Sequence, residues 1–325
     1  MLTEGFGLLS AAQMILERLR LCNWGAHQLL AHGRPDVAMA FLGGLGDELL
    51  CSAPLEEWRR RGARNVWLMT TSPDLFQNEA APARILPNDP RYPRLCDRLG
   101  IKFRYLSYST YDAAADRDSA QPRHLIAEMC HRAGVSGPIQ LRPYWRISPT
   151  ERTTAEPWRE YIAIQTCTLT AHVPMANKQW PVTRFQDVVD RLSPWHKFVQ
   201  IGSSSDPRLR GVADLCGKTS LRETAAILHH SRLFIGLVGF LMHLARAVDC
   251  PAVIVYGGRE TPAVTGYPCN INLTSQAPCA PCWQRNRCDF DRFCMESIQS
   301  IEVGDAVETL LTRPRDLMLE STFEL

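Results

Sequence analysis

A glycine-rich segment that ends in an aspartate is the clearest candidate for chemistry in this chain of 325 residues. Gly43, Gly44 and Gly46 allow backbone N–H groups to approach a ligand closely, and the helical pattern that follows offers the positive end of a helix dipole. Asp47 adds a carboxylate to the same turn. A negative charge does not help to bind a phosphate there, so phosphate binding alone does not explain this residue. We therefore predict that Asp47 is a general base for a substrate hydroxyl, with capping of the next helix as the alternative.

Later segments carry groups suited to phosphate and nucleotide. Lys178 follows a predicted strand, from which a lysine can reach a phosphate at a neighbouring strand end, and we predict a catalytic role for it. Ser220, with Glu223 three residues on, predicts a helix-capping box at a junction that could border a base or ribose. A buried structural role is the alternative for His243, one turn into a helix whose free N–H groups suit a pyrophosphate. The residues expected to bind a nucleotide-containing donor substrate are Gly44, Gly46, Thr166, Lys218, Thr219, Ser220, Gly239, Phe240 and His243.

Four cysteines lie within sixteen residues, and the first two form a C-x-x-C pair. They are Cys279, Cys282, Cys288 and Cys294. This spacing predicts one tetrahedral Zn²⁺ or Fe ion, which would be structural because four thiolates leave no open coordination position. Incidental thiols and a zinc knuckle for RNA are the alternatives, but the basic and aromatic neighbours suit RNA only weakly.

Composition limits the function classes. The net charge is only +2, 45% of the residues are hydrophobic and 22% are charged, which is ordinary for a soluble globular protein and predicts no nucleic-acid partner. We expect no transmembrane segment and no secretory signal, and hence reduced thiols and a cytoplasmic location. Arginine clusters are expected to be solvated faces, with an anionic acceptor surface as the alternative. They comprise Arg59, Arg60, Arg61 and Arg64, and Arg142, Arg146, Arg152 and Arg159.

Strand and helix patterns alternate along two stretches of similar size. An amphipathic helix over 8–30 belongs to an N-terminal helical extension, 1–35. Residues 36–155 and 156–325 are then predicted to be two Rossmann-like domains of α/β class, with parallel sheets that face each other across a cleft. Segments 79–92, 113–121 and 148–157 read as loops. The chemistry is expected at the carboxyl ends of the strands, in the cleft.

The ordered set of motifs resembles glycosyltransferase family 9, the bacterial heptosyltransferases. The matching segments are GGLGD (43–47), Lys178-Gln-Trp-Pro, GKTSLRE (217–223), MHLA (242–245), VYGG (255–258) and the cysteine-rich stretch 279–295. The resemblance implies a GT-B fold, with an N-terminal acceptor domain and a C-terminal nucleotide-sugar domain. It also implies inverting, metal-independent transfer of a heptose from an ADP-sugar to a hydroxyl of a lipopolysaccharide core sugar or a protein serine. The family's base falls on Asp47, and its phosphate-contacting lysine falls on Lys178.

This chain departs from the family's sequence pattern at one turn. The family commonly carries an Asp-Ser/Thr-Gly turn before the MHLA helix, whereas this chain has Leu237-Val238-Gly239-Phe240. That run and the N-terminal extension resemble those of the autotransporter heptosyltransferases. Members of that branch modify protein serines, hold iron with four cysteines and form large oligomers. The resemblance therefore implies a homo-oligomer. A degenerate scaffold that binds metal and partners is the main alternative function. A nucleotide-dependent oxidoreductase or epimerase is a weaker one, because the glycine segment lacks G-x-G-x-x-G spacing.

Overall fold

The computed structural model describes residues 11–41, 43–78, 83–313 and 322–325. In the N-terminal half, short buried strands such as Val66–Thr70 alternate with amphipathic helices, as β-branched and aliphatic runs between turn residues dictate. The elements are α1 (Ala11–His32), β1 (Val37–Ala40), α2 (Leu45–Leu50), α3 (Ser52–Arg60), β2 (Val66–Thr70), β3 (Ala83–Pro87), α4 (Arg91–Arg98), β4 (Phe103–Tyr105), β5 (Tyr111–Asp112), β6 (Arg117–Asp118), α5 (Leu125–Arg132), β7 (Pro138–Gln140) and α6 (Pro149–Ala155).

The C-terminal half repeats the alternation of strands and helices. Its elements are β8 (Tyr161–Ile164), α7 (Val182–Leu192), β9 (Lys197–Gln200), β10 (Ala213–Asp214), α8 (Leu221–His230), β11 (Leu233–Leu237), α9 (Phe240–Ala247), β12 (Ala252–Gly257), α10 (Pro262–Thr265), β13 (Ile271–Thr274), α11 (Phe293–Glu296), α12 (Ser300–Leu311) and β14 (Thr322–Glu324).

Two parallel sheets organise the described residues. One has the strand order β3-β2-β1-β4 and the other β10-β9-β8-β11-β12-β13, with every pairing in both parallel. The predicted α/β class with two parallel sheets is therefore confirmed. The order places β1 in the interior of the first sheet and β8, β11 and β12 in the interior of the second, so the loops after these strands open towards the same region. The predicted domain limits at 36 and 156 stay a prediction.

Several predicted loops are wrong. Segment 79–92 contains the edge strand β3 and the start of α4. The strand tolerates Pro87 because it lies at the edge of the sheet, where a proline interrupts no ladder of hydrogen bonds. Segment 113–121 contains β6, which pairs with β5 in a hairpin. Segment 148–157 contains α6, which Pro149 and a Ser148–Glu151 capping box start.

Other boundaries also differ from the sequence pattern. The helix expected after the glycine segment is two helices, because the chain bends at Cys51 between α2 and α3. Strand β7 pairs antiparallel with β14 and belongs to neither parallel sheet. Helix α1, which overlaps the predicted amphipathic helix, packs on α4, but its Leu19 is 61% exposed. Within the described residues, no helix is long and apolar enough to span a membrane.

Candidate active site

Asp47 lies in the first turn of α2, the helix that follows β1, and is half-buried. The hydroxyl of Tyr108 donates a hydrogen bond to its Oδ1. Burial raises the pKa of Asp47, and the negative charges of Glu260 and Asp118 add to this, while the Tyr108 hydrogen bond and the charge of Lys178 oppose it. A carboxylate with a raised pKa is a better proton acceptor than an ordinary aspartate, so the site favours a general base.

Lys178 lies on the opposite side of this region, in the loop that follows β8. Its Nζ is 2.7 Å from Oε1 of Glu260, and its side chain is only 14% exposed. Arg259 pairs with the same carboxylate oxygen at 2.9 Å. Burial alone would raise the pKa of Glu260, but Lys178 and Arg259 outweigh it and hold that pKa at about 2. Two buried cations therefore share one carboxylate at the carboxyl end of β12.

Burial lowers the pKa of Lys178, and the carboxylate of Glu260 opposes that shift. The charge of Asp47 acts on the same ammonium group in the same direction as Glu260. The predicted base and the predicted phosphate-contacting lysine thus lie close enough to influence each other's pKa, although 131 positions separate them in the numbering from 47 to 178. The structure brings them together in one region, as the strand-end argument expects.

Gly46 is the point where the two sheets' loops meet. A Cβ added to Gly46 would lie 3.4 Å from Cδ2 of His243 and 3.5 Å from Cα of Phe240. These are ordinary van der Waals distances, so α2 and the first turn of α9 pack directly against each other at Gly46. Gly44 is the residue before α2, and a Cβ there would lie 3.7 Å from Oδ2 of Asp47. The glycine segment therefore serves close contact between the two halves.

Helix α9 begins at Phe240, and Gly239 before it provides no side-chain cap among the described residues. Its first N–H groups therefore lack a capping partner and face the Asp47 region, since Phe240 N lies 3.7 Å from the position of a Gly46 Cβ. Free N–H groups and the positive end of an eight-residue helix suit an anion. Where the family commonly has a carboxylate and a hydroxyl, Leu237 and Val238 are buried and apolar.

His243 is buried, and its Nδ1 lies 2.6 Å from the hydroxyl of Tyr267. Burial first, and then the nearby charge of Lys178, lower its pKa to about 3, so the ring is neutral at neutral pH. Its Cδ2 edge is the edge that lies against Gly46. His243 therefore lies at the contact between the two halves. This position is compatible with donor binding and with a structural role.

The remaining donor-binding predictions lie farther along the second sheet. Thr166 is fully buried, and its hydroxyl donates to the carbonyl of Pro207 at 3.0 Å, which makes it a loop-shaping residue. Lys218 is exposed, and its Nζ pairs with Asp214 at 3.0 Å. Thr219 Oγ1 lies 2.9 Å from Oγ1 of Thr224. Ser220 caps α8, and the predicted capping box with Glu223 is confirmed.

The four cysteines converge without forming a closed metal cage. Cys294 is buried and the other three are half-buried. Burial first, and then the charges of the other three thiols, raise the pKa of Cys294. The backbone N–H of Arg292 donates to Sγ of Cys288 at 3.3 Å. In the part of the chain that the structure describes, however, no three His, Cys, Asp or Glu side chains are close enough together to hold a metal ion.

The cysteine-rich segment joins the two halves through the β5–β6 hairpin. Arg285 pairs with Asp118 at 2.5 Å, and its guanidinium carbon lies 3.8 Å from the centroid of the Tyr111 ring. The carboxylate of Asp116 accepts hydrogen bonds from the backbone N–H groups of Asn286 and Arg287 at 2.6 and 2.7 Å. The segment 283–287 therefore lies along the hairpin like an added short strand, with an antiparallel bridge between Arg117 and Gln284.

Four residues of this region escaped the sequence analysis: Tyr108, Asp118, Arg259 and Glu260. Asp118 accepts hydrogen bonds from Arg259 and Arg285, which links the hairpin to the Lys178–Glu260 pair. Arg259 and Glu260 directly follow the VYGG segment, so their position after a strand was a usable signal. Tyr108 follows β4 by three residues in a polar stretch, and no local pattern indicates its contact with Asp47.

Comparison with known families gives one sequence match. Residues 141–290 match glycosyltransferase family 9 (heptosyltransferase). No individual curated protein is significantly similar to the chain in sequence. The matched range includes Lys178, the α9 helix and three of the four clustered cysteines, and it ends before Cys294.

Solved structures agree with that match. A family 9 glycosyltransferase of Veillonella parvula is 16% identical, has a TM-score of 0.61, and aligns over 85% of this chain and 97% of its own. TibC of enterotoxigenic E. coli, a dodecameric iron-containing heptosyltransferase solved with ADP-D-β-D-heptose, is 17% identical with a TM-score of 0.61, over 86% and 77%. The E. coli heptosyltransferase WaaC, solved with ADP, is 12% identical with a TM-score of 0.56, over 84% and 99%. These similarities confirm the predicted GT-B fold.

Proposed function

We propose that this chain, whose residues 141–290 match glycosyltransferase family 9, transfers a heptose from an ADP-heptose-type donor to a hydroxyl group. One observation carries the proposal. Asp47, with a raised pKa, faces Lys178 and the uncapped start of α9 where the loops of two parallel sheets meet. This arrangement supplies a proton acceptor on one side and positive charge for a departing diphosphate on the other.

In the proposed reaction, the acceptor hydroxyl attacks the anomeric carbon from the face opposite the ADP, and configuration inverts. Asp47 takes the hydroxyl proton, an effect of roughly 10²–10⁴-fold on rate. The bond between the anomeric carbon and the diphosphate oxygen breaks, and the electron pair leaves with ADP. Lys178 and the N–H groups at Gly239 and Phe240 stabilise the charge that develops there.

Glu260 positions two cations that can bind an anion in this site. Its carboxylate holds Lys178 at 2.7 Å and Arg259 at 2.9 Å, which fixes both cations in this region. A bound diphosphate competes with Glu260 for the Lys178 ammonium, while Arg259 continues to neutralise the carboxylate. The resident cations thereby provide positive charge that a divalent metal provides in other transferases, which supports a reaction without a catalytic metal.

Donor recognition is assigned to both halves. We propose that Gly44 and Gly46 allow close approach of the donor sugar, and that His243 and the start of α9 border the diphosphate. Lys218, Thr219 and Ser220 lie at the α8 junction, where backbone groups and the exposed ammonium of Lys218 can border the base or ribose. Thr166 contributes through the shape of its loop, since Pro207 occupies its hydroxyl.

We also propose that the four clustered cysteines hold a structural Zn or Fe ion. The convergence of four free thiols and an N–H donor at Cys288 supports this donor set, and closing the cage requires the side chains to move together. Metal content of the purified chain should be one ion per chain, and Cys282→Ser should lower it, whereas Cys22→Ser at an exposed distant thiol should not. Metal-free protein with an intact fold would contradict the proposal.

The acceptor, assembly and location are further parts of the proposal. A lipopolysaccharide core sugar or a protein serine would present the hydroxyl to Asp47. A homo-oligomer is supported by the exposed leucines of α1, among them Leu16 and Leu19. A cytoplasmic location is supported by the twelve cysteines, all of which are free thiols.

A scaffold without turnover is the second candidate, favoured by one observation. Buried Leu237 and Val238 stand where the family commonly has polar groups near the sugar. A panel of nucleotide-sugars, with release of the free nucleotide as the readout, separates the two. We expect ADP-heptose to be turned over and Lys178→Ala to weaken its use at least tenfold, with Lys102→Ala, an exposed lysine elsewhere, unchanged. No binding of any nucleotide-sugar would favour the scaffold.

A further inference from the structure

The lysine predicted to contact the diphosphate, Lys178, ends a single 3₁₀ turn, Ala176–Lys178. Such a turn is short and its hydrogen-bond geometry is poor, so contacts with other segments hold it in place. Residues 169–174, before the turn, are exposed. After the turn, the side-chain amide of Gln179 donates to the carbonyl of Thr166 at 2.7 Å. That contact fixes the side of the turn that follows the lysine, and the side that precedes it depends on another anchor.

The residue before the lysine, Asn177, is buried and bonds to segment 284–287. Its backbone N–H donates to the carbonyl of Arg285 at 3.0 Å. Its Nδ2 donates to the carbonyls of Arg287 and Gln284 at 2.7 and 3.2 Å. Carbonyl groups only accept hydrogen bonds, so the amide nitrogen, and not the amide oxygen, faces them. Asn177 therefore acts as a donor, a role that the carboxylate of an aspartate cannot take.

Segment 284–287 is itself fixed by the β5–β6 hairpin. The backbone N–H of Arg285 donates to the carbonyl of Asp116 at 3.0 Å. The carboxylate of Asp116 accepts from the N–H groups of the next two residues of the segment at 2.6 and 2.7 Å. Three N–H groups of the segment thus bond to the hairpin, while its carbonyls bond to Asn177. The turn that carries the lysine is therefore anchored to a strand-like segment that is held from its other edge.

The carbonyl of Gln284 connects both members of the Lys178–Glu260 ion pair. It accepts a hydrogen bond from Nδ2 of Asn177, which precedes Lys178, at 3.2 Å. It also accepts one from Nε of Arg259, which precedes Glu260, at 3.0 Å. A carbonyl oxygen has two lone pairs and can accept both bonds. One backbone carbonyl thus holds the two loops together, and the next residue of each loop completes the ion pair at 2.7 Å.

We propose that Asn177 is a positioning residue that holds the Lys178 ammonium where a departing diphosphate can contact it. The proposal rests on the proposed transfer reaction for the role of Lys178, and on the hydrogen bonds of Asn177 for its position. The side-chain amide of Asn177 is engaged with segment 284–287, so it acts through Lys178 and not on the donor itself. Loss of this amide donor lets the turn move, and the ammonium leaves the position that Glu260 and the turn define.

The first test measures the position of Lys178 without any nucleotide. Acetic anhydride acetylates lysines of the full chain, and peptide mass spectrometry gives the rate at Lys178 relative to Lys102, an exposed lysine. The Lys178 side chain is only 14% exposed and ion-paired, so it should react slowly in the wild type. We expect Asn177→Ala and Asn177→Asp to speed its acetylation about fivefold, the factor that one lost hydrogen bond typically gives. Circular dichroism and urea unfolding verify that each variant is folded.

Asn286 offers a matched pair, because its exposed side chain accepts where Asn177 donates. Its Oδ1 accepts from the backbone N–H of Ala176 at 3.0 Å. Asn286→Asp keeps an acceptor and should leave the acetylation of Lys178 unchanged, whereas Asn286→Ala removes it and should speed acetylation about twofold. Asn88→Ala, at an exposed asparagine after β3, is the distant control and should change nothing.

Acetylation of Lys178 at the wild-type rate in folded Asn177→Asp would overturn the proposal. Asn286→Ala keeps the test decisive even where the Asn177 variants do not fold, because its substitution is at the surface. An unchanged rate in Asn286→Ala would then overturn the proposal as well.

The second test is a double-mutant cycle on kcat/KM for ADP-heptose. Asn177→Ala should lower it about fivefold, and should lower it no further when added to Lys178→Ala, because the two residues act as one unit. Additive losses would show that Asn177 only stabilises the fold and would overturn its positioning role. A wild-type chain that turns over no ADP-heptose would refute the proposed function, while the acetylation rates would still decide whether Asn177 positions Lys178. The two proposals therefore fail separately.

Discussion

Tyr108 and Glu260 act on Asp47 in opposite directions. The hydrogen bond from Tyr108 lowers the pKa of Asp47, whereas burial and the charge of Glu260 raise it. The net direction is upward, so the carboxylate keeps its proton to a higher pH than an ordinary aspartate does. A base must be deprotonated to work, and the acid side of the pH–rate profile therefore reports this balance.

Tyr108→Phe is expected to shift that acid side to higher pH. Removing the hydroxyl removes a hydrogen bond to the charged carboxylate, and the pKa of Asp47 rises further. At pH well above the new pKa, kcat should stay within a few-fold of wild type. The measurement is kcat/KM for sugar transfer across pH, with Tyr105→Phe, an exposed tyrosine on β4, as the control. An unchanged acid limb in Tyr108→Phe would show that Asp47 is not the titrating base.

The sequence predicts only part of this residue-level site. Asp47 and Lys178 belong to short motifs that follow strands, so strand-end logic places both of them at the cleft. Tyr108 and Glu260 act through contacts with residues distant in sequence, and no local pattern encodes such a contact. His243 also shows the limit, because only its position against Gly46 reveals that it lies between the halves.

At the scale of elements, helix α8 starts at a complete capping box. Ser220 Oγ accepts from the backbone N–H of Glu223 at 3.2 Å, and the Glu223 carboxylate accepts from the Ser220 N–H at 2.7 Å. The box was predictable because its two residues are three apart and need no tertiary contact. The edge strand β3 and helix α6 were not, because their prolines and polar residues read as loop until the sheet edge and the cap are known.

Ser220→Ala is expected to lower the free energy of unfolding by about 1 kcal/mol, because the N–H of Glu223 loses its acceptor. Ser220→Thr should cost only a few tenths of that, since threonine also caps helices. Urea titration followed by circular dichroism measures both. Equal stability of Ser220→Ala and wild type would show that the cap contributes nothing to folding.

The hairpin and the cysteine-rich segment form the second element-level feature. Asp118 lies between Arg259, which is 3% exposed, and Arg285. Asp118→Asn would leave the buried Arg259 guanidinium without this carboxylate, and the cost of breaking a buried ion pair is about 3–5 kcal/mol. Glu260 still pairs with Arg259, so we expect the lower end of that range.

The matched control is Asp187→Asn, at an exposed aspartate of α7. Thermal and urea unfolding of both variants should show a large loss for Asp118→Asn and a change below about 0.5 kcal/mol for Asp187→Asn. Matching stabilities for the two variants would mean that the hairpin does not hold the cysteine-rich segment in place.

At the scale of the whole molecule, two sheets present their strand ends to one region, and α2 contacts the first turn of α9 there at Gly46. The α/β class followed from alternating strand and helix patterns, and the GT-B arrangement followed from the resemblance. The pairing of β14 with β7 was unpredictable, because it joins residues 322–324 to residues 138–140, which are far apart in sequence, in a separate two-stranded sheet. The contact of α2 with α9 likewise depends on the packing of the halves.

The most direct measurement compares donor binding and sugar transfer in Asp47→Asn, which keeps the size of the side chain and removes its basicity. We expect ADP-heptose to bind within about two-fold of wild type, while single-turnover transfer to an acceptor falls by at least 10²-fold. Transfer by Asp47→Asn at the wild-type rate would contradict the assignment of Asp47 as the base that serves a diphosphate leaving group held by Lys178 and α9.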